Sequence, residues 1–264
     1  MKEENSLIQS VDRALGLLEY IAEHPEGGFS LAELTEHMNM DKSSVFRILA
    51  TLMKHRLVRQ EENRKSYRLG YGVFSLASSL YHQMKITQVA SPVLRGVARK
   101  TRENAHLAAR SGPLAVFIDR EQGSNIITAN TNIGDTEELF CTAVGKSLIC
   151  DFSLQEIELL FAKHPLERYT PQTITELPLL LQELSRVRSQ GYALDIEEYN
   201  LNVVCVGGPI YDFTGKIVAA LGISGPKDRM MAEMERNLRI VREALGEINA
   251  LMGRAPGAEA GTEV

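Results

Sequence analysis

The chain has 264 residues, 44% apolar and 24% charged, with a net charge of −5. This is ordinary globular composition and excludes collagen-like, low-complexity and wholly disordered classes. No apolar run approaches the roughly 18 residues of a membrane helix. The opening MKEENSLIQS lacks the apolar core of a signal peptide, so a cytoplasmic protein with no membrane partner is expected.

Three helices are expected first. Leu7, Val11, Leu15, Leu18 and Ile21 recur at helical spacing over about 7–23, until Pro25 and Gly27–Gly28 stop them. Ser30 and Glu33 form an S-x-x-E capping box for a helix over about 31–38. Asp41 caps a third helix, about 42–55, with Val45, Ile48, Leu49 and Leu52 inward. Two short strands, 57–60 and 66–70, flank the turn EENRK.

Helix, helix, turn, helix, hairpin is the order of a winged helix-turn-helix. Charge agrees with it. Residues 1–40 sum to −6, but residues 41–68 carry eight basic side chains against three acidic ones. A basic block within an acidic chain points to one local anionic partner. The third helix would read double-stranded DNA with Ser43, Ser44, Arg47 and Thr51, with Lys42 nearer phosphate. Arg64, Lys65 and Arg68 on the wing would reach flanking phosphates.

A linker helix over 72–85 follows, then Thr87 and a helix over about 88–102, with Pro92 in its first turns. Three strands are expected at 105–110, 114–121 and 125–130. Helices follow at 142–152, 154–161 and 177–190, then strands at 192–196, 202–210 and 216–224, and a closing helix at 228–252. GRAPGAEAGTEV at 253–264 has the composition of a disordered tail. The sum is α+β, with helices packed on an antiparallel sheet. Thr142, Ala143, Val144 and Gly145 put small side chains over a helix start, where free amides favour an anion. Lys146 reads as an exposed charge, and His82 and His164 as surface residues.

The run from SVDRALGLLEY to KSYRLG at 10–70 strongly resembles the IclR family of bacterial transcriptional regulators. So do TAVGKSLIC at 142–150 and GYALDIEEYNLNVVCVGGPIYDFTGKIVAALGISGP at 191–226. The resemblance implies a winged helix-turn-helix domain (6–71), a linker helix (72–87) and a GAF-like effector-binding domain (88–252), assembled as a homodimer or homotetramer. It implies a ligand-responsive regulator, expected to be a repressor of a catabolic operon. Asp195, Cys205, Gly222 and Ser224 match the family's small-molecule pocket, Ile126 and Ala129 its apolar side, and Ala143 and Val144 its lip. Asn202 stands where the family usually has glycine, and asparagine best tolerates the left-handed conformation. Gly222 stands where many members have serine, which is expected to enlarge the pocket.

The expected effector is a small carboxylate, such as a hydroxy, keto or sugar acid, held by the amides of residues 143–145. Asp195, Cys205 and Ser224 would meet its other oxygens. The alternatives are a metabolising enzyme with a fused winged helix, or a winged helix used for protein contact. Against catalysis, Cys205 lies in an apolar strand, VVCVGG, with no base placed beside it. Cys141, Cys150 and Cys205 form no CxxC pair, and neither they nor His106 and Asp195 show metal-ligand spacing. No cofactor, metal or disulfide is expected.

Overall fold

A computed structural model of the chain describes residues 8–24, 28–61, 65–83, 85–126 and 131–253. They fall into two compact units, divided after Gln83.

The first unit holds α1 (Gln9–Glu23), α2 (Leu31–Met38), α3 (Lys42–Lys54), β1 (Val58–Glu61), β2 (Ser66–Leu69) and α4 (Tyr71–Gln83). Its core is Leu17, Ile21, Leu34, Val45, Leu49, Leu52, Val58 and Tyr67. Burial of each such aliphatic side chain contributes about 1.5–3 kcal/mol. Both α2 and α3 start where their caps require. Ser30 and Glu33 close a full capping box, and Asp41 Oδ1 accepts the Ser44 amide at 2.9 Å. Gly70 and Gly72 seat the hairpin's exit against α3's end: a Cβ at either would lie 2.3 or 2.6 Å from the Arg56 carbonyl oxygen. The expected inward stripe of α1 fails in part. Val11 and Leu15 are each half exposed on α1, whereas Ile48 is half buried and packs against the core as expected. The core takes the α1 face of Leu17 and Ile21 instead.

The second unit opens with α5 (Lys85–Thr101), followed by β3 (Asn104–Ser111), β4 (Leu114–Glu121), β5 (Thr136–Glu138), α6 (Ala143–Ile149), α7 (Leu154–Phe161) and α8 (Leu177–Gln190). Next come β6 (Ala193–Ile196), β7 (Val203–Tyr211), β8 (Ile217–Pro226), α9 (Lys227–Ala232) and α10 (Met234–Leu251). The six strands form one antiparallel sheet in the order β5-β4-β3-β8-β7-β6. Strand alternation sends Leu107, Val204, Val206, Leu221 and Ile223 to one face, where α5 and α10 cover them. Ala108, Phe117 and Ala220 belong to the opposite core, with side chains of α6, α7 and α8.

Several boundaries move. Thr87 is buried inside α5 rather than preceding it, and Pro92 lies in the helix interior. The closing helix is broken at Glu233 into α9 and α10. Of the strand expected at 125–130, residues 127–130 lie outside the described residues. One of the sheet's two edge strands is β5, which sequence periodicity did not mark because it is three residues long. Residues 254–264 of the expected tail also lie outside the described residues. Asn202 does take the left-handed conformation, with φ +62°.

Candidate functional site

The outward side of α3 is polar and basic. Lys42, Ser43, Arg47 and Thr51 are exposed and Ser44 is half buried. The Ser43 hydroxyl donates to Asp41 Oδ1 at 2.6 Å, and the Thr51 hydroxyl donates to the Arg47 carbonyl at 2.9 Å. Both keep lone pairs for an incoming donor. The Ser43 and Ser44 hydrogen bonds hold the Asp41 carboxyl well below the usual carboxylate range. Arg47 shares a groove of about 500 Å3 between α1 and α3 with Ser44, Thr51 and Arg13. Sequence reasoning missed Arg13, since its helix was read only for its apolar side.

The wing is less basic than its sequence. Arg68 Nε lies 3.1 Å from Glu61 Oε1, because Arg68 and Glu61 stand near each other in the hairpin register. Lys65 is exposed. Arg64 lies outside the described residues.

In the second unit, strand register builds a polar row. Asp195 on β6 faces Cys205 on β7, and Cys205 faces Ser224 on β8. Directly paired residues share a face, so three side chains remote in sequence converge. Beside the row lies a cavity of about 160 Å3, lined by these three residues and by His106, Glu137, Thr142, Ala143 and Val144, with Tyr199 and Asn200 from the β6–β7 connection. The start of α6 reaches the sheet because β7 and β8 are small there. A Cβ on Gly207 would lie 3.1 Å from the Ala143 carbonyl carbon.

Burial sets the charges around this cavity. Asp195 is 3% exposed. Burial pushes its carboxyl up to about 6, although the Glu198 amide, 2.7 Å from Oδ1, opposes the rise. Burial, with the nearby carboxylates of Asp195 and Asp135, pushes Glu137 up to about 7. Burial and the Arg120 guanidinium hold His106 down at about 4, so its imidazole is neutral. Burial beside Asp195 raises the Cys205 thiol far above its ordinary value, which removes it as a nucleophile near neutral pH. Two buried polar atoms of cavity-lining residues, Ser224 Oγ and His106 Nδ1, have no hydrogen-bond partner among the described residues. Such atoms carry a desolvation penalty unless something else satisfies them.

Not every residue expected in the pocket lines it. Gly145 packs its Cα against β5, where a Cβ would lie 2.5 Å from the Glu138 carbonyl oxygen. Its amide is already taken by the Thr142 hydroxyl at 3.1 Å. Gly222 does not enlarge the cavity. Its missing side chain makes room for His106 Nε2 and Val144 Cγ1, each 2.7 Å from where a Cβ would sit. Ile126 is fully exposed on a bend, and Ala129 lies outside the described residues. Lys146 is not a surface charge. It is fully buried, with Nζ 2.5 Å from both Glu198 Oε1 and the Leu194 carbonyl, and 3.3 Å from Glu183 Oε1. His164 is also tied in, 2.7 Å from Glu138 Oε2, whereas the side chain of His82 lies outside the described residues. Glu137 and His106 entered no pocket expectation because only register and packing bring them there. Among the described residues no cluster of His, Cys, Asp and Glu fits a metal ion.

These two sites fall within two matched family models. The one described as the IclR helix-turn-helix domain covers residues 10–62. The one described as bacterial transcriptional regulator IclR C-terminal covers residues 78–250. The chain belongs to the IclR family. It is 29% identical over 253 residues to the HTH-type transcriptional repressor AllR of Salmonella typhi, covering 94% of this chain and 91% of that protein. It is 27% identical over 246 residues to the AllR of Escherichia coli K12, covering 93% and 90%. The crystal structure of the Thermotoga maritima IclR matches with a TM-score of 0.76 at 29% identity, over 94% of this chain and all of that one. An IclR-family chain is a regulator with a DNA-binding helix-turn-helix, and the enzyme reading falls with that membership. No helix among the described residues is long and apolar enough to cross a membrane.

Proposed function

We propose that this IclR-family protein is an operator-binding repressor in the cytoplasm, released or tightened on DNA by a small effector in the cavity beside Asp195, Cys205 and Ser224. The observation that carries the reading is the pair of unpartnered buried atoms, Ser224 Oγ and His106 Nδ1, on one small cavity. Among the described residues nothing satisfies these two groups, which supports a polar ligand there. A cavity of about 160 Å3 is below the usual range of about 300–1,000 Å3 for larger ligands, so the effector is of metabolite size. The class we propose is a hydroxy, keto or sugar acid with one carboxylate, and the regulated genes a catabolic operon for it. Ala143 and Val144 at the start of α6 face the carboxylate end, and the acceptor-rich strand row faces the hydroxyls.

The DNA reading rests on the exposed face of Lys42, Ser43, Arg47 and Thr51. A single winged unit makes few contacts, and specific affinity requires two half-sites. Ile8, Val11 and Leu15 on α1 and Tyr71, Phe74 and Leu80 on α4 are exposed apolar side chains. They support a homodimer through this unit, with further pairing to a tetramer through the second. The test is a gel shift of the full chain on its own upstream DNA, with and without a panel of small organic acids. Specific binding that shifts about 5–150-fold on adding one acid supports the reading. Equal binding to operator and random DNA, or binding that no ligand alters, overturns it. Light scattering that shows a monomer at micromolar concentration, with and without operator, overturns the assembly.

A further inference from the structure

Two acidic side chains face the cavity, and among the described residues only one of them is engaged. Asp195 accepts the Glu198 amide. Glu137 lines the same cavity, yet among the described residues no hydrogen bond or ion pair holds its carboxylate. Its neighbour on β5 shows the contrast. Glu138 is buried on the strand's other side, within 2.7 Å of His164 Nε2, and it accepts the Tyr169 hydroxyl at 3.0 Å. Glu138 serves the fold; Glu137 makes no such bond among the described residues.

The surroundings do not neutralise Glu137. No lysine or arginine lines the cavity among the described residues. Lys146 is engaged by Glu198, Glu183 and the Leu194 carbonyl. Arg120 donates to the Thr131 carbonyl and to Asn132 Oδ1. The other titratable groups facing the cavity are His106 from β3, Tyr199 from the β6–β7 connection, Asp195 from β6 and Cys205 from β7. Asp135, just before β5, adds a further negative charge near Glu137. All of these are neutral or negative. An unpaired carboxylate on a small cavity costs stability, and a cost retained at a ligand site is a mark of function.

We infer that Glu137 is a specificity-determining residue of the effector cavity: with Asp195 it forms an acidic wall that takes hydroxyl or N–H donors of the effector and turns away a second ligand carboxylate. The inference rests on the reading of this cavity as the effector site. Ser224 Oγ supplies the complementary donor, so the wall orients the ligand as well as selecting it. Above about pH 7 both carboxylates are ionised and repulsion of a second carboxylate is full. As pH falls through about 7 and then about 6, the wall takes up protons and the repulsion lifts.

The test compares the full-length wild type with Glu137→Gln, and with Glu138→Gln as its contrast. Calorimetry without ligand at pH 8 should show the effector-unit transition raised by roughly 4 °C in Glu137→Gln. The rise should shrink at pH 5.5, and Glu138→Gln should lower the transition. A fall in Glu137→Gln at pH 8 means that the carboxylate serves the fold, and it overturns the inference. Gluconate, its dicarboxylate glucarate and neutral glucitol are then titrated at pH 8. Gluconate should bind the wild type at least about tenfold more tightly than glucarate, and Glu137→Gln should narrow that ratio. Equal binding of the two acids to wild type, or a ratio the variant leaves unchanged, overturns the inference. If glucitol alone binds, the carboxylate effector fails while the acidic wall stands. If none of the three binds, the calorimetric arm decides alone.

Discussion

In residues 8–83 the side chains proposed to meet DNA come from α3, α1 and the hairpin, all within about sixty residues. In residues 84–253 the cavity is assembled from β3, β5, β6, β7, β8 and the start of α6, whose residues lie up to about 120 positions apart. The first surface is exposed and built on one helical period. The second is enclosed and built on strand register. Exposed polar groups are satisfied by water, so changing one alters binding with little effect on the fold. Enclosed polar groups that satisfy each other, such as Lys146 and Glu198 or Thr142 and Glu138, cannot be changed singly without disturbing the unit that contains them.

The largest expected effect tests that contrast inside the enclosed unit. Lys146→Met removes the cation that Glu198, Glu183 and the Leu194 carbonyl share. Breaking a buried pair by deleting one partner costs about 3–5 kcal/mol. Calorimetry should show the effector-unit transition falling while the winged-unit transition holds. A matched fall in both transitions would mean that the two units unfold as one and would break the comparison.

Protons give the next effect. His106 is 3% exposed and its folded pKa, about 4, lies below its unfolded value of 6.5. The stability it contributes is present above pH 6.5 and lost as pH falls through about 4, up to about 3 kcal/mol. Glu137 and Asp195 act in the opposite direction, because their folded values of about 7 and about 6 lie above 4.5 and 3.8. Their penalty is present above pH 7 and relieved as pH falls. The two carboxylates together outweigh the histidine, so the wild-type effector unit should gain roughly 1–2 kcal/mol from pH 7 to 5. The double variant Glu137→Gln, Asp195→Asn should lose stability steadily as acid is added. A double variant whose stability stays flat over that range would show that His106 is not held neutral.

These effects track what was legible in the sequence. The winged unit follows from local rules. The capping box at Ser30 and Glu33, the Asp41 cap and the period of Val45, Leu49 and Leu52 each involve residues within one or two turns. The errors there, Val11 and Leu15, come from a helix with two apolar stripes, of which only one meets the core. In the effector unit, helices and strands were legible by period, and the resemblance supplied Asp195, Cys205 and Ser224. Glu137 was not legible. It lies on a three-residue strand too short for alternation to mark, and nothing in TEELF separates the glutamate facing a cavity from the one pairing with His164. Lys146 looked like a surface residue because lysine is rarely fully buried. Its partners lie 37 and 52 residues away.

A smaller effect is expected on the exposed side. Arg47→Ala should weaken operator binding by about 1–3 kcal/mol, with both thermal transitions unchanged, since Arg47 is exposed. Competition gel shifts against random DNA provide the check. Equal loss on operator and random DNA would make Arg47 a phosphate contact rather than a base reader.

The finest comparison sets one device in two environments. Ser30 caps α2 at the surface, its hydroxyl accepting the Glu33 amide at 3.3 Å. Thr142 caps α6 in the interior, 1% exposed, its hydroxyl accepting the Gly145 amide at 3.1 Å and donating to the Glu138 carbonyl at 2.7 Å. Water replaces the lost bond in Ser30→Ala, so the cost should be about 1 kcal/mol, the usual worth of an N-cap. Thr142→Val keeps the side chain's shape but leaves a buried amide and a buried carbonyl without that partner. Each orphaned group costs about 1–3 kcal/mol, so Thr142→Val should exceed Ser30→Ala by roughly 1 kcal/mol or more. The two variants should also separate by transition, Ser30→Ala moving the winged unit and Thr142→Val the effector unit. Because Thr142 also lines the cavity, its loss should weaken any ligand that stabilises the wild type, which Ser30→Ala leaves untouched. Equal costs for the two caps would show that water reaches the start of α6, and the enclosed character assigned to the cavity would be wrong.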